Sequence, residues 1–481
     1  MVFSSLLFVF LFLAICYGAY FFVGTTRAKN ILLLVASLIF YAWGGPALVL
    51  LLCLMTFVCW AGAIIVDDVK VKKLKKLICI TVVGICLAIL VIFKYTGFLL
   101  SSAFSLFGIG MDIPSIALPI GISFYTFQLI SYVIDVYRGD VEAQKKYHLL
   151  LLYASLFHQC IAGPIVRYAD VCYDIEHRVV KREEISRGIT RFTVGLAKKA
   201  ILANGCGNIC DSIFNDAAGI PLSADGISQL SSAAILLGAF CYMLQIYLDF
   251  SAYSDMAIGM GLMVGFHYKE NFNYPYIADS VTDFWRRWHI SLSGFFRDYV
   301  YIPMGGNRVG VPRHILNMLT VWALTGFWHG ASWNFLVWGL FYFVLLIVEK
   351  YLIKPKKDPK IYIRIPRILI TAIITFFGFM IFKFTDFACL GQAVLGIFTS
   401  NGQGFGDART SSLFLNNIFF IIASIAACTP VIPAINKLAD KNSATAIARD
   451  VIGAIMPVIL LVLSAFALAG DSYNPFLYFQ F

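Results

Sequence analysis

Apolar residues run in long, nearly uncharged stretches through most of this chain of 481 residues. Five stretches carry no charged residue at all: Leu6–Val23, Ile31–Trp43, Ile78–Phe93, Ile235–Tyr247 and Val451–Leu468. A helix of roughly 20 such residues spans the ~30 Å hydrocarbon core of a membrane, and shorter stretches suit tilted, broken or re-entrant helices. The pattern shows no strand-like alternation and no internal repeat. It predicts an all-α polytopic membrane protein with about 11–13 membrane helices, together with re-entrant and amphipathic helices.

Two central regions, 138–200 and 267–314, interrupt this pattern with basic residues and short apolar pieces. The piece Leu149–Ile165 is too short to span a membrane, and its Gly163–Pro164 pair predicts a helix stop. Irregular backbone at membrane depth is tolerated only where protein or a water-filled cavity covers it. We therefore expect re-entrant segments on the cytoplasmic side.

Composition and charge exclude a soluble protein and a nucleic-acid-binding protein. The chain is 60% hydrophobic and 13% charged, which is far too apolar for a soluble globular domain. Its net charge of +10 comes from basic clusters in short links between apolar stretches, as the positive-inside rule requires. The clusters are Lys70–Lys76, Arg178–Arg182 and Lys354–Lys357.

The distribution of charge also predicts the topology. The first apolar stretch has no basic residue before it and is followed by Arg27 and Lys29, so it is not a secretory signal and the N-terminus faces outward. The basic loop ending at Arg449 lies inside, so Val451–Leu468 crosses outward and the C-terminus is extracellular or periplasmic. We therefore predict a multi-pass protein of the cell membrane with two parts. Residues 1–450 form a membrane domain, and residues 451–481 form a transmembrane helix with an extracellular tail.

The twelve cysteines lie mostly singly within apolar stretches, where they behave as small hydrophobic residues. Cys206 and Cys210 form a lone C-x3-C spacing without a second pair, which does not favour zinc. We predict neither disulfides nor a metal site.

The segment "DFWRRWHISLSGFFRDYVYIP" (Asp283–Pro303) has helical spacing. One arc collects apolar side chains, with Trp285 beside it: Phe284, Trp288, Leu292, Phe295 and Tyr299. The opposite arc is polar: Arg286, Ser293 and Arg297. With His289 at the boundary and Ser280 as N-cap, this predicts one amphipathic helix at the cytoplasmic interface. A simple anchor helix whose histidine only snorkels to the interface is the alternative.

Within the apolar segment Ile315–Val348, His329 is the one side chain that titrates near neutral pH. An ionisable residue at membrane depth is costly and indicates function by default. Small and bulky neighbours suggest a cavity with tryptophan walls: Gly330, Ala331, Ser332, Trp328 and Trp333. Asn334 or Ser332 is placed to fix the tautomer of the ring. The alternative is a histidine hydrogen-bonded between helices.

Five ordered segments resemble the membrane-bound O-acyltransferase (MBOAT) family, in particular the branch containing the alginate O-acetyltransferase membrane subunit. They are "LLLVASLIFYAWGGP" (Leu32–Pro46), "LPIGISFYTFQLISYVIDVYRG" (Leu118–Gly139), "IAGPIVRYAD" (Ile161–Asp170), "DFWRRWHISLSGFFRDYVYIPMGGNR" (Asp283–Arg308) and "LTGFWHGASWNFLVWGL" (Leu324–Leu340). One departure is His158, where that branch usually has proline. The teichoic-acid D-alanyl transferase subunit is a close relative, but "IPMGGNR" and the longer C-terminal part favour the O-acetylating branch.

The resemblance implies membrane helices ringed around a thin centre, with a tunnel from a cytoplasmic donor face to an outward funnel. It further implies O-acyl transfer from a cytoplasmic thioester, acetyl-CoA or another, to a hydroxyl outside, with no bound cofactor. His329 would act as the base and His289 would orient or polarise the thioester carbonyl. Further substrate-binding residues are expected: Arg286 and Arg287 at donor phosphates, and Trp285, Trp328, Ser332 and Asn334.

The chain ends in "NPFLYFQF", whose F-x-Y-x-x-F spacing resembles the end of small single-helix partner proteins in teichoic-acid D-alanylation. That resemblance implies that Phe476 and Phe481 dock the tail in the funnel while Tyr478 carries the acyl group. An extracellular SGNH-type acetyltransferase would then pass the group to an alginate-like exopolysaccharide or cell-wall glycan. An aromatic belt anchoring the helix end is the alternative.

The sequence is also compatible with three other functions. One is D-alanyl-type transfer to teichoic acid. A transporter or flippase for acyl groups or lipid-linked sugars would need the cavity but no base. A scaffold that docks soluble acyltransferases would need neither histidine.

Overall fold

The structure is a computed structural model, and it describes residues 3–108, 116–355, 359–470 and 476–477. Apart from one isolated antiparallel bridge between Asn215 and Pro221, regular secondary structure in these ranges is helical. The all-α prediction is therefore confirmed.

The N-terminal part begins with apolar helices and ends with two helices rich in polar and charged residues. A π-helical segment, Leu7–Leu13, leads into nine α-helices: α1 Ala14–Phe22, α2 Thr26–Ala42, α3 Pro46–Asp68, α4 Lys72–Lys94, α5 Thr96–Phe107, α6 Ile122–Arg138, α7 Tyr147–Ser155, α8 Tyr168–His177 and α9 Arg182–Ala197.

The central part alternates one very long helix with short ones. In chain order it contains a π-helical segment Lys198–Ala203, α10 Asn204–Phe214, α11 Ala224–Ser228, α12 Ser232–Met263, a 3₁₀ turn Pro275–Ile277, α13 Val281–Arg287, α14 Ile290–Phe296 and a π-helical segment Arg297–Tyr301.

The C-terminal part returns to long apolar helices. It contains α15 Val311–His329, α16 Trp333–Val348, a π-helical segment Glu349–Ile353, α17 Ile361–Lys383, α18 Phe387–Thr399, a 3₁₀ turn Ser400–Gly402, α19 Ala408–Ala427, α20 Val431–Ala439 and α21 Ser443–Gly470. The predicted boundary at residue 451 falls within α21.

Seven helices in the described ranges are long and apolar enough to cross a membrane: α3, α4, α12, α16 with its π-helical extension, α17, α19 and α21. The larger predicted number, about 11–13, also counts shorter and interrupted apolar segments. Two of these, Leu7–Phe22 and Thr96–Phe107, are shorter apolar helices in the structure.

The apolar piece Leu149–Ile165 departs from its prediction in one respect. The helix that it contains, α7, ends at Ser155, so the predicted stop at Gly163–Pro164 lies beyond its true end. The backbone that follows is irregular but buried, and Tyr153 donates a hydrogen bond to the Val166 carbonyl (2.9 Å). Protein covers this irregular stretch, as backbone away from water requires.

The chain divides into two compact units that interleave along the sequence. One comprises Met1–Phe192, Tyr253–Glu270 and Gly294–Pro303; the other comprises Thr193–Ala252, Asn271–Ser293 and Met304–Phe481. The second unit contains both motif histidines and the last described residues of the chain.

Candidate active site

His329 lies at a helix end rather than in the middle of a helix. It is the last residue of α15, and the next helix, α16, begins at Trp333. Between them Gly330 and Ser332 adopt extended backbone conformations. The segment Ile315–Val348, predicted as one apolar stretch, is thus two helices with a break that follows the histidine.

Glycines hold these two helices close together. A Cβ atom at Gly326 would collide with the carbonyl oxygen of Phe335, and one at Gly339 would collide with the carbonyl oxygen of Trp322. Small residues allow this approach between apolar helices, where tight packing replaces the hydrophobic effect. The approach fixes the end of α15, and with it His329, against α16.

Three aromatic rings surround the buried His329 imidazole. Ring centroids lie 4.9 Å away at Trp338, 5.1 Å at Trp328 and 5.4 Å at Phe382, all in edge-to-face orientation. Trp333, predicted as a further wall, is 51% exposed at the start of α16. Trp338, a little over one helical turn further on, packs against the His329 ring.

His289 lies at a second break, which the sequence prediction missed. The predicted helix Asp283–Pro303 is wrong as a single helix: α13 ends at Arg287, α14 starts at Ile290, and a π-helical segment follows at Arg297–Tyr301. His289 has a φ of 44°, in the left-handed region that few non-glycine residues adopt. Such strain persists where surrounding contacts enforce it, and it clusters at functional sites.

Asn271 enforces that conformation and sets the tautomer of His289. Its backbone carbonyl accepts a hydrogen bond from Ile290 N (2.9 Å), and its Oδ1 accepts from Ser291 N (3.1 Å) and Ser291 Oγ (2.8 Å). The Nδ1 atom of His289 lies 3.2 Å from the same Oδ1. Because an acceptor faces Nδ1, this nitrogen carries the proton and Nε2 keeps its lone pair.

The two histidines share a neighbour and an apolar environment. Trp328 contacts His289 (ring centroids 5.6 Å apart) as well as His329, and Phe250 stacks edge-to-face on His289 at 4.7 Å. Burial lowers the pKa of His289 well below its usual range, and the nearby His329 imidazole lowers it further. At neutral pH the His289 ring is therefore an uncharged acceptor or proton relay.

A buried carboxylate positions the short helix α13 that precedes His289. Glu349 accepts hydrogen bonds from the backbone nitrogens of Val281 (2.7 Å) and Thr282 (3.0 Å), the unsatisfied donors at the start of α13. The predicted N-cap is confirmed, since the Ser280 side chain accepts from Asp283 N. Glu349 ends an apolar run and carried no sequence signal that linked it to residues 281–282.

The other predicted substrate-binding residues have different surroundings. Arg286 is exposed, whereas Arg287 pairs with Asp283 through Nε (2.9 Å). Asn334 donates its amide hydrogens to the carbonyls at 381 (3.2 Å) and 382 (3.3 Å), which ties α16 to the end of α17. Trp285 is buried against Trp322, with ring centroids 4.7 Å apart, while Ser332 is half-buried in the break before α16.

Leu477, the last described residue, lines a narrow cavity together with His329. Side chains from α12, the break before α14 and helices α15 to α17 line it together with Leu477: Ile246, Asp249, Phe250, Trp288, His329, Trp338, Phe379 and Phe382. Phe476 is buried. The predicted acyl carrier Tyr478 and the second predicted docking residue, Phe481, lie outside the described residues.

Among the residues that the structure describes, no group of three or more histidine, cysteine or acidic side chains is arranged to hold a metal ion. All twelve cysteines are free thiols. His329 lines the aromatic cavity, and the buried His289 lies close by against Trp328.

Comparison with known proteins finds similarity to membrane-bound acyltransferases. A sequence model of the membrane-bound O-acyltransferase family (MBOAT) matches residues 131–390. A probable alginate O-acetylase of Pseudomonas putida is 36% identical over 100% of each chain. A peptidoglycan O-acetyltransferase of Helicobacter pylori is 31% identical over 100% of this chain and 98% of its own. A teichoic acid D-alanyltransferase of Bacillus subtilis is 29% identical over 55% of this chain and 68% of its own.

Proposed function

Because the chain belongs to the membrane-bound O-acyltransferase family and is an O-acyltransferase, we propose that it moves acetyl groups from a cytoplasmic thioester to a cell-surface polysaccharide. Relatives that align along the whole chain support this, since their names specify O-acetylation of alginate and of peptidoglycan. The D-alanyltransferase relative aligns over only 55% of the chain, which favours acetyl over D-alanyl transfer.

One observation carries the mechanism: Leu477, the residue before Tyr478, lines the same cavity as His329. A tail residue at this position supports Tyr478 as the acceptor of the acyl group. A phenol with a pKa near 10 loses its proton more readily than a sugar hydroxyl, and an aryl ester is afterwards the better acyl donor. Aromatic walls that exclude water protect the thioester from hydrolysis.

In the proposed first step, the Tyr478 oxygen attacks the thioester carbonyl while His329 accepts the phenolic proton. The carbon–sulfur bond then breaks and the thiolate leaves, taking a proton from the imidazolium. An acetyl-tyrosine ester and a free thiol are the products. His289, neutral and with Nε2 unprotonated, orients the donor, and the exposed Arg286 suits its phosphates.

In the second step an extracellular SGNH-type acetyltransferase takes the acetyl group to a polysaccharide hydroxyl and regenerates Tyr478. This requires a tail on the outer face of the cell membrane. The basic residues Lys437, Lys441 and Arg449, placed inside by the positive-inside rule, support an outward crossing of α21.

Asn271 provides a test of the role assigned to His289. Asn271→Ala removes the acceptor that keeps the proton on Nδ1, so we expect acyl transfer to fall by about 10-fold to 100-fold, part of the roughly 10²–10⁴-fold that acid–base groups contribute. Asn271→Asp keeps an acceptor and should recover much of the loss. Its carboxylate also favours the imidazolium form, so the acidic limb of the rate–pH profile should move to higher pH.

Membrane preparations with matched protein levels allow this comparison across pH. Equal losses in the alanine and aspartate variants, with an unchanged rate–pH profile, would mean that Asn271 only supports the fold.

The proposed function itself is tested on the surface glycan. Deletion of this protein should remove ester-linked acetyl groups from the polysaccharide, and expression of the wild-type chain should restore them, as read by mass spectrometry of the isolated glycan. Loss of ester-linked D-alanine instead would identify the alternative acyl group. An unchanged ester content in both strains would contradict acyl transfer to a surface glycan.

A further inference from the structure

A buried ion pair lies in the second unit, and the mechanism proposed for the two histidines does not use it. Lys199 Nζ is 2.6 Å from Asp249 Oδ1, and each side chain is only 2% exposed. Asp249 belongs to α12, a candidate membrane span, and Lys199 to the π-helical segment Lys198–Ala203. Charges in such a place are costly, so they are found where they bind or move something.

Both members of this pair contact the last two described residues, Phe476 and Leu477. The backbone nitrogen of Leu477 donates a hydrogen bond to Asp249 Oδ2 at 2.9 Å. The Lys199 ammonium lies 4.8 Å from the centroid of the Phe476 ring, within the range of a cation–π interaction. One carboxylate oxygen of Asp249 therefore pairs with Lys199, and the other accepts a hydrogen bond from the tail backbone.

These contacts recognise the tail in a particular register. A hydrogen bond to a main-chain N–H selects a residue position rather than a side chain, while the cation–π contact selects an aromatic ring at the position before it. Asp249 and Leu477 both line the cavity that contains His329. Because residues 476 and 477 are held in place, the point at which the chain enters residue 478 is also held.

We propose that Lys199 and Asp249 form a clamp for the C-terminal tail and act as positioning residues that hold Tyr478 in register at the His329 cavity. The proposal rests on the proposed function for its consequence, but the binding of the tail by the clamp is independent of whether Tyr478 carries acetyl. The ligand of the clamp is a peptide segment with an aromatic residue followed by a residue whose main-chain N–H can donate a hydrogen bond.

The first experiment measures access to the tail in intact cells. A reporter cysteine, Leu477→Cys, keeps the backbone N–H and is labelled from outside with a membrane-impermeant maleimide. We expect labelling to become at least about tenfold faster in a variant that combines Lys199→Met and Asp249→Leu. This variant loses the charge-assisted hydrogen bond between Asp249 and the backbone nitrogen of Leu477. Removing both charges avoids leaving one buried and unpaired.

Ala469→Cys, an exposed position on α21, serves as the matched control and should label at the same rate in both backgrounds. Such a result shows that membrane insertion is intact. Unchanged labelling at position 477, with the control intact, would overturn the clamp.

A second pair of variants leaves the membrane helices untouched. Leu477→Pro removes the N–H that Asp249 accepts, whereas Leu477→Ala retains it. We expect acyl transfer to fall at least about tenfold further in the proline variant than in the alanine variant. Equal activity would overturn the clamp.

The labelling result also separates this inference from the acyl-tyrosine. If Tyr478→Phe keeps full acetylation but labelling still depends on Lys199 and Asp249, the clamp stands and the carrier role of Tyr478 fails.

Discussion

Replacing His329 with glutamine is expected to reduce acyl transfer by about 10²–10⁴-fold while the protein stays in the membrane at normal levels. Glutamine is similar in size and keeps contact with Trp338 and Phe382, so the aromatic cavity stays filled. It has no nitrogen that accepts a proton near neutral pH, so the step that deprotonates the acceptor hydroxyl is lost. The measurement is the ester-linked acetyl content of the surface glycan, normalised to the protein level.

A buried histidine at the other end of the same helix provides the control. His314 bonds to Lys350 (2.7 Å) and Tyr351 (2.9 Å), away from the cavity, and His314→Gln should leave transfer near the wild-type level. Full acetylation in the His329 variant would favour a transporter, which needs no base. Loss of the protein from the membrane would mean that His329 is structural.

The second large effect is expected for Tyr478→Phe, which keeps the aromatic ring and removes only the hydroxyl. If Tyr478 carries the acyl group, the change eliminates the nucleophile of the first step, and glycan acetylation should fall by at least about 10²-fold. Docking of the tail through Phe476 and Leu477 should persist, because neither contact involves the hydroxyl.

Tyr473→Phe, in the same tail, is the matched control and should acetylate the glycan normally. Wild-type acetylation in the Tyr478 variant would eliminate the acyl-tyrosine and leave the tail as an aromatic anchor at the membrane surface.

Local sequence signals predicted the features that depend on nearby residues. Uncharged stretches predicted the helical membrane architecture, because a membrane requires backbone groups to bond within each segment. Ser280 was predicted as an N-cap from its position relative to the helix start. His329 was singled out because ionisable side chains are rare in apolar segments.

The break at His289 could not be predicted in this way. No glycine or proline stands at 288–290, and the aromatic spacing continues through it, so the periodicity favours one helix. The helix is interrupted by tertiary hydrogen bonds that the backbone nitrogens of Ile290 and Ser291 donate to Asn271. Their energy outweighs the local preference, and nothing in the local pattern indicates it.

Long-range partners account for the remaining misses. Glu349 lies 68 residues from Val281, whose backbone it binds, and such a pairing leaves no trace in a single sequence. Asp249 is different, because it is an acidic residue in an apolar surrounding and belongs to the same class of signal as His329. Applied at that position, the rule that identified His329 would have identified Asp249.

The most direct test of the central claim is mass spectrometry of the C-terminal segment. Protein from acetylating cells that lack the extracellular partner is quenched in acid, and the segment after Arg449 is released and sequenced by fragmentation. The account predicts one acetyl group, as an ester on Tyr478, in the wild-type protein and none in the His329→Gln variant. An unmodified Tyr478 in wild-type protein, when the glycan of the parent strain gains acetyl groups, would contradict it.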